Sequence, residues 1–136
     1  MDRVRDAMVV DPRVCAGDAT AQEAGEALLR PEVRAVFVCD GGRLVGVVTR
    51  KTLVREVVAP GLDPRTTELR AIAEPPIFTL DADTALEDAF HELEERDLER
   101  VPVVENGRLV GVLSRAVVRR RLAADEPPPE ESNEPA

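Results

Sequence analysis

Two stretches, "GGRLVGVVTR" at residues 41–50 and "NGRLVGVLSR" at residues 106–115, are nearly the same ten letters written twice in one chain of 136 residues. At an offset of 65, Gly42, Arg43, Leu44, Val45, Gly46 and Val47 fall on Gly107, Arg108, Leu109, Val110, Gly111 and Val112, and Arg50 falls on Arg115. An aliphatic run precedes each stretch, "AVFVC" in one and "VPVVE" in the other. Each copy thus holds two apolar strands joined by a Gly-rich or Asn-Gly turn. That pattern predicts a β-hairpin, and Asn106-Gly107 suits the positive φ angles of a type I′ turn.

Upstream, the letters match at an offset of 64, which sets Ala7 on Ala71, Met8 on Ile72, Pro12 on Pro76 and "TAQE" from Thr20 on "TALE" from Thr84. One residue is then gained between helix and strand. Each T-x-x-E is expected to form a capping box that opens a helix. Ala21, Ala24 and Leu28 in the first helix, and Leu86, Ala89, Phe90 and Leu93 in the second, recur at the spacing of one buried face. Short strands around Val14 and around Ile77–Thr79 precede these helices, and "TRKTLVREVV" and "SRAVVRRRLA" read as closing helices.

The chain therefore reads as an α/β (α+β) protein of two β-α-β-β-α repeats, residues 1–58 and 68–123. A linker, 59–67, carries Pro60, Gly61 and Pro64. Residues 124–136, acidic and Pro-rich, are expected to be a disordered tail. A repeat of about sixty residues buries too little surface to stand comfortably alone. The two copies are expected to pack sheet to sheet by a pseudo-twofold into one compact module.

Composition narrows the function. The formal net charge is -9, and five of the acids (Asp125, Glu126, Glu130, Glu131 and Glu134) lie in the last twelve residues. An acidic surface repels a polyanion, and three Phe with no Trp or Tyr leave almost nothing on which bases could stack. No nucleic acid is expected as a partner. Cys15 and Cys39 fit no metal-binding spacing and are too few for a disulfide framework. The N-terminus lacks the pattern of a signal peptide and no run reaches membrane-spanning length, so a cytoplasmic protein without membrane contact is expected. Nucleophile, base and orienting group do not occur in a catalytic arrangement, and no phosphate-binding glycine motif is present, so no enzyme is expected.

The order "VRDAM", "DPRVCAGDAT", "VFVCDGGRLVGVVTRKTL", repeated as "LRAIAEPPIFTLDADTALEDAF…RVPVVENGRLVGVLSRAVV", resembles a tandem pair of cystathionine-β-synthase-type (CBS) domains covering residues 1 to about 123. The resemblance implies a regulatory module, often a homodimer, with two clefts that hold an adenosine-containing ligand such as AMP, ATP, NAD or S-adenosylmethionine. It further implies that a hydroxyl and a carboxylate in G-h-h-[T/S]-x-x-[D/N] hold ribose or phosphate, while the first strand reads the adenine. Carried over residue by residue, this points to Thr49, Arg50, Lys51 and Thr52 in copy 1, Ser114 in copy 2, and Val14 and Phe78 on the first strands. Arg100, with Arg34 as its rough counterpart, is expected to hold a phosphate. Thr52 and Val117 stand where the family has its carboxylate. The expected function is sensing of such a metabolite, an adenine nucleotide being the expected ligand, with signalling to a partner protein. The alternative is a ligand-independent dimerisation or docking module whose clefts have degenerated.

Overall fold

The computed structural model describes residues 2–10 and 12–125. In the first copy, β1 (Val14–Ala16) runs parallel to β2 (Val36–Asp40), which turns back as β3 (Arg43–Val48). In the second, β4 (Leu80–Asp81) runs parallel to β5 (Arg100–Glu105), which turns back as β6 (Arg108–Ser114). Both hairpins have the expected two-residue turns at positive φ, Gly41 and Gly42 at 60° and 85°, Asn106 and Gly107 at 54° and 81°.

The strand order is β1-β2-β3-β6-β5-β4, which is the order a twofold between the copies requires. At the hairpin tips the copies are joined edge to edge through one Cα pair, Arg43 with Arg108. Backbone bonds from Leu44 N to Gly107 O (3.4 Å) and Leu109 N to Gly42 O (3.1 Å) flank that pair. The physical reason is that the hairpin tips would otherwise leave these amides unpaired at an open edge.

Helix α2 (Ala21–Ala27) begins with the expected capping box: Glu23 N donates to Thr20 Oγ1 and Thr20 N to Glu23 Oε2, each at 3.2 Å. Helix α5 (Leu86–Glu95) does not. Its cap is Ala85, with no side-chain bond, and the Thr84 amide is spent one residue earlier on Asp81 O at 3.1 Å. The two copies are in fact related by 65 throughout. Cys15 pairs with Val38 as Leu80 does with Val103, and Thr20 bridges to Glu68 as Ala85 does to Arg3. No residue is gained between helix and strand, and the shared letters TAQE and TALE sit one step out of structural register.

Two four-residue helices carry the association of the copies. Helix α1 (Val4–Ala7) opens the chain, yet Val4, fully buried, packs with Leu80, Leu86, Leu93, Val103 and Leu113 of the second copy. Helix α4 (Leu69–Ile72) opens the second copy, yet Leu69, also fully buried, packs with Ala24, Val38, Val48 and Val57 of the first. Main-chain bonds repeat the exchange: Val4 N to Thr84 O and Leu69 N to Ala19 O, both at 2.9 Å. A single turn of helix has no stability of its own, so burial of Val4 and Leu69, each contributing about 1.5–3 kcal/mol, holds both in place. Arg5 then pairs with Glu105 and Asp83, and Arg70 pairs with Asp40 and Glu68.

Helix α3 (Arg50–Leu53) continues as a π turn over Val54–Val58, whereas α6 (Arg115–Asp125) is α-helical throughout. Helix α6 takes in residues 124 and 125. The remainder of the expected tail lies outside the described residues. Among the described residues, no helix is long and apolar enough to cross a membrane.

Candidate functional site

A cleft of about 420 Å³ lies between the copies. One wall comes from the chain leading into β1 and from β1 itself: Val10, Pro12, Val14 and Ala16. The floor is Cys39 of β2 and Gly42 of the turn, and the far wall is Leu109 and Val110 of β6. Period-two alternation explains the choice: Val14 and Ala16 share one face of β1, and Cys39 is the Cα partner of Ala16 on β2. Burial, with Asp40 adding to it, pushes the Cys39 thiol above its ordinary range, so the floor presents a neutral sulfur. Among the described residues, no charged side chain lines this cleft. Its size and apolar walls suit a flat, uncharged ring.

The chain reaches this cleft across a glycine. Val9 pairs with Val112 on β6, and a Cβ on Gly111 would meet Met8 Sδ at 2.7 Å and Val9 O at 2.8 Å. On the other side of the twofold, Glu74 pairs with Val47, and a Cβ on Gly46 would meet Glu74 O at 2.7 Å. The glycine of each repeated string is therefore required by the close passage of the other copy's entering strand.

Thr49 caps α3, and Thr52 returns the bond. Thr52 N donates to Thr49 Oγ1 at 3.3 Å and Thr49 N to Thr52 Oγ1 at 3.0 Å. The Thr52 hydroxyl donates in turn to Glu74 Oε1 at 3.1 Å, and Arg55 holds the same oxygen. With its one proton on Glu74, Thr52 accepts from the Thr49 hydroxyl 3.1 Å away. Its side chain is 1% exposed and its hydrogen-bonding capacity is full. In copy 2, Ser114 Oγ accepts from Val117 N at 3.5 Å, and Val117 has nothing to return.

The remaining expected site residues are dispersed. Arg50 turns away to the end of α2, donating to Leu28 O (2.5 Å) and Arg30 O (2.8 Å). Arg115 does the same at α5, donating to Leu93 O and to Glu94, Asp97 and Glu99. Lys51 is exposed on α3. Arg100 is exposed at the start of β5, opposite Ser114. Its counterpart at 65 is Ala35, while Arg34 matches Glu99. Val14 lines the cleft, but Phe78 is not its equivalent; Thr79 is. Phe78 packs on the second core under the Arg96 guanidinium, 4.1 Å from the ring centre. Sequence reasoning missed Glu74, whose equivalence to Val9 appears only in the 65 register, and Cys39, which strand alternation puts on the same face as Val14 and Ala16.

The family model for the CBS domain matches this chain twice, at residues 4–59 and 69–124. The chain belongs to the CBS-domain family. Hypoxic response protein 1 of Mycobacterium tuberculosis is 32% identical over 110 residues, 79% of this CBS pair and 77% of that protein. The crystal structure of that protein with two coordinated zinc ions superposes with a TM-score of 0.76 at 29% identity, covering 89% of this chain and 99% of the other. CBSX2 in complex with AMP gives a TM-score of 0.71 at 26% identity, covering 90% and 96%. Among the described residues of this CBS pair, no group of three or more His, Cys, Asp or Glu could hold a metal ion.

Proposed function

We propose that this CBS pair is a non-catalytic regulatory module that binds an adenosine-containing metabolite between its two copies and passes its occupancy to a partner protein in the cytoplasm. The carrying observation is the apolar cleft of about 420 Å³, whose walls come from both copies. A ligand there touches both at once, so it stabilises one relative arrangement by its differential affinity. The AMP complex of CBSX2 supports the ligand class. The module acts as a homodimer, since Leu29, Val54, Val58 and Leu62 leave apolar surface on its outside, between 47% and 79% exposed.

Thermal unfolding with AMP, ADP, ATP, NAD and S-adenosylmethionine, each at millimolar concentration, tests the reading. A ligand present at a hundred times its Kd adds about 2.7 kcal/mol. No shift with any of the five would refute it. Thr52 and Val117 favour a second reading, a docking module that needs no ligand: neither offers a ribose the carboxylate that the CBS resemblance implies there, and the Thr52 hydroxyl is fully used.

A further inference from the structure

The two copies are built alike, yet their outer helix faces are finished differently. On copy 2, Glu94 of α5 and Arg119 of α6 form an ion pair at 3.5 Å, and the Arg119 guanidinium also lies 5.9 Å from the centre of the Phe90 ring. Charge thus closes that face toward water. At the offset of 65, Glu94 falls on Leu29, Arg119 on Val54, Ala123 on Val58 and Phe90 on Gly25. Leu29, Val54 and Val58 are all exposed. Where copy 2 has a phenyl ring under a guanidinium, copy 1 has a glycine beside Leu53. The backbone departs at the same place: Val54–Val58 is a π turn, its twin in α6 is α-helical, and π turns are frequent at functional sites.

The ion pair of copy 2 shows that these positions are neighbours across the two helices, so their apolar counterparts form one patch. Leu62, also exposed, is tied to it by its amide bond to Val57 O at 2.9 Å. Four such side chains leave on the order of 400 Å² of apolar surface in water, as much as the largest patch of an ordinary monomer. One side of a standard interface buries about 800 Å², somewhat more than half of it apolar. The patch is therefore the size of one interface core. Glu26, one turn before Leu29, and Lys51, one turn before Val54, are exposed at its rim, and neither has an ion pair among the described residues. An acid and a base beside one patch complement their own twofold image, in which each Glu26 faces the other chain's Lys51. A contact with the face of copy 2 would instead bury Glu94 and Arg119, at a desolvation cost.

We infer that copy 1 alone carries the self-association surface: two chains meet about a twofold through Leu29, Val54, Val58 and Leu62, and the outer helices of both second copies stay in water. The inference rests on the homodimer reading above and adds which half of the chain makes the contact. A surface that pairs only with itself closes at two chains, whereas copy 1 against copy 2 of the next chain would propagate.

Leu29→Glu combined with Val54→Arg writes the ion pair of copy 2 into copy 1. In sedimentation of the full chain at micromolar concentration, this double variant is expected to be a monomer, its dissociation constant raised about a hundredfold or more by the charge it would have to bury. Both positions are exposed in the single chain, so its circular dichroism should remain that of the parent; Val58→Lys should act in the same direction and serves if the double variant does not fold. Arg119→Glu, which puts like charges on the face of copy 2, should leave the dimer unchanged. A parent dimer that persists in Leu29→Glu/Val54→Arg, or that Arg119→Glu dissociates, overturns the surface and leaves the homodimer reading standing. A parent that sediments as a monomer overturns both, and the apolar face of copy 1 then belongs to a partner of another sequence.

Discussion

The Thr52 hydroxyl donates to Glu74 Oε1 at 3.1 Å, joining the first helical turn of α3 to the strand by which the second copy enters the fold. The bond lies between the two halves of the duplication, in a place 1% exposed at Thr52. Thr52→Val removes it together with the partner of the Thr49 amide. A loss of about 1–3 kcal/mol is expected in denaturant unfolding. A change below a few tenths would mean that water replaces the hydroxyl.

Thr52→Asp supplies the carboxylate that the CBS resemblance implies at this position, yet it is expected to destabilise more than Thr52→Val. The new charge is buried beside the carboxylate of Glu74, and two like charges there disfavour ionisation of both. Glu74→Gln in the same chain should recover part of the loss. A double-mutant cycle measures that coupling, and strict additivity would contradict it.

Thr49→Ala should cost more stability than Ser114→Ala. Both hydroxyls cap a helix, at about 1 kcal/mol each, but only the first belongs to a reciprocal pair. Chemical denaturation of the two variants side by side checks the order.

Exchange of the opening helices makes stability a property of the pair. Leu69→Ala empties a fully buried site in the first core, at about 2–5 kcal/mol. Hydrogen exchange should then rise in β2 and β3, which precede Leu69 in the chain, as well as in α4. Exchange confined to α4 would show that the helix is only loosely docked.

Ala16→Phe fills the cleft from β1 without touching either helix cap. It should abolish any nucleotide-induced rise in unfolding temperature while the unliganded protein remains folded by circular dichroism. For the homodimer, Val58→Lys places a charge on a side chain that is 71% exposed in the single chain, and should convert a dimer to a monomer in sedimentation at micromolar concentration.

Much of this architecture follows from local rules. Asn106-Gly107 and Gly41-Gly42 set their hairpins because few residue pairs tolerate two successive positive φ angles. Ala24 and Leu93 are buried because helical spacing puts them on one face. The repeated strings announce two copies. What the letters could not convey is the geometry between those copies, because it depends on contacts far apart in the chain. TAQE and TALE match as text, but the hydrogen-bond register makes Ala85, not Thr84, the counterpart of Thr20. Val4 and Leu69 look like the openings of their own copies, and only the path of the chain puts each into the other's core. Arg43 and Arg108 are ordinary hairpin residues in the sequence. Packing alone brings them together, because the edges of β3 and β6 meet at the twofold.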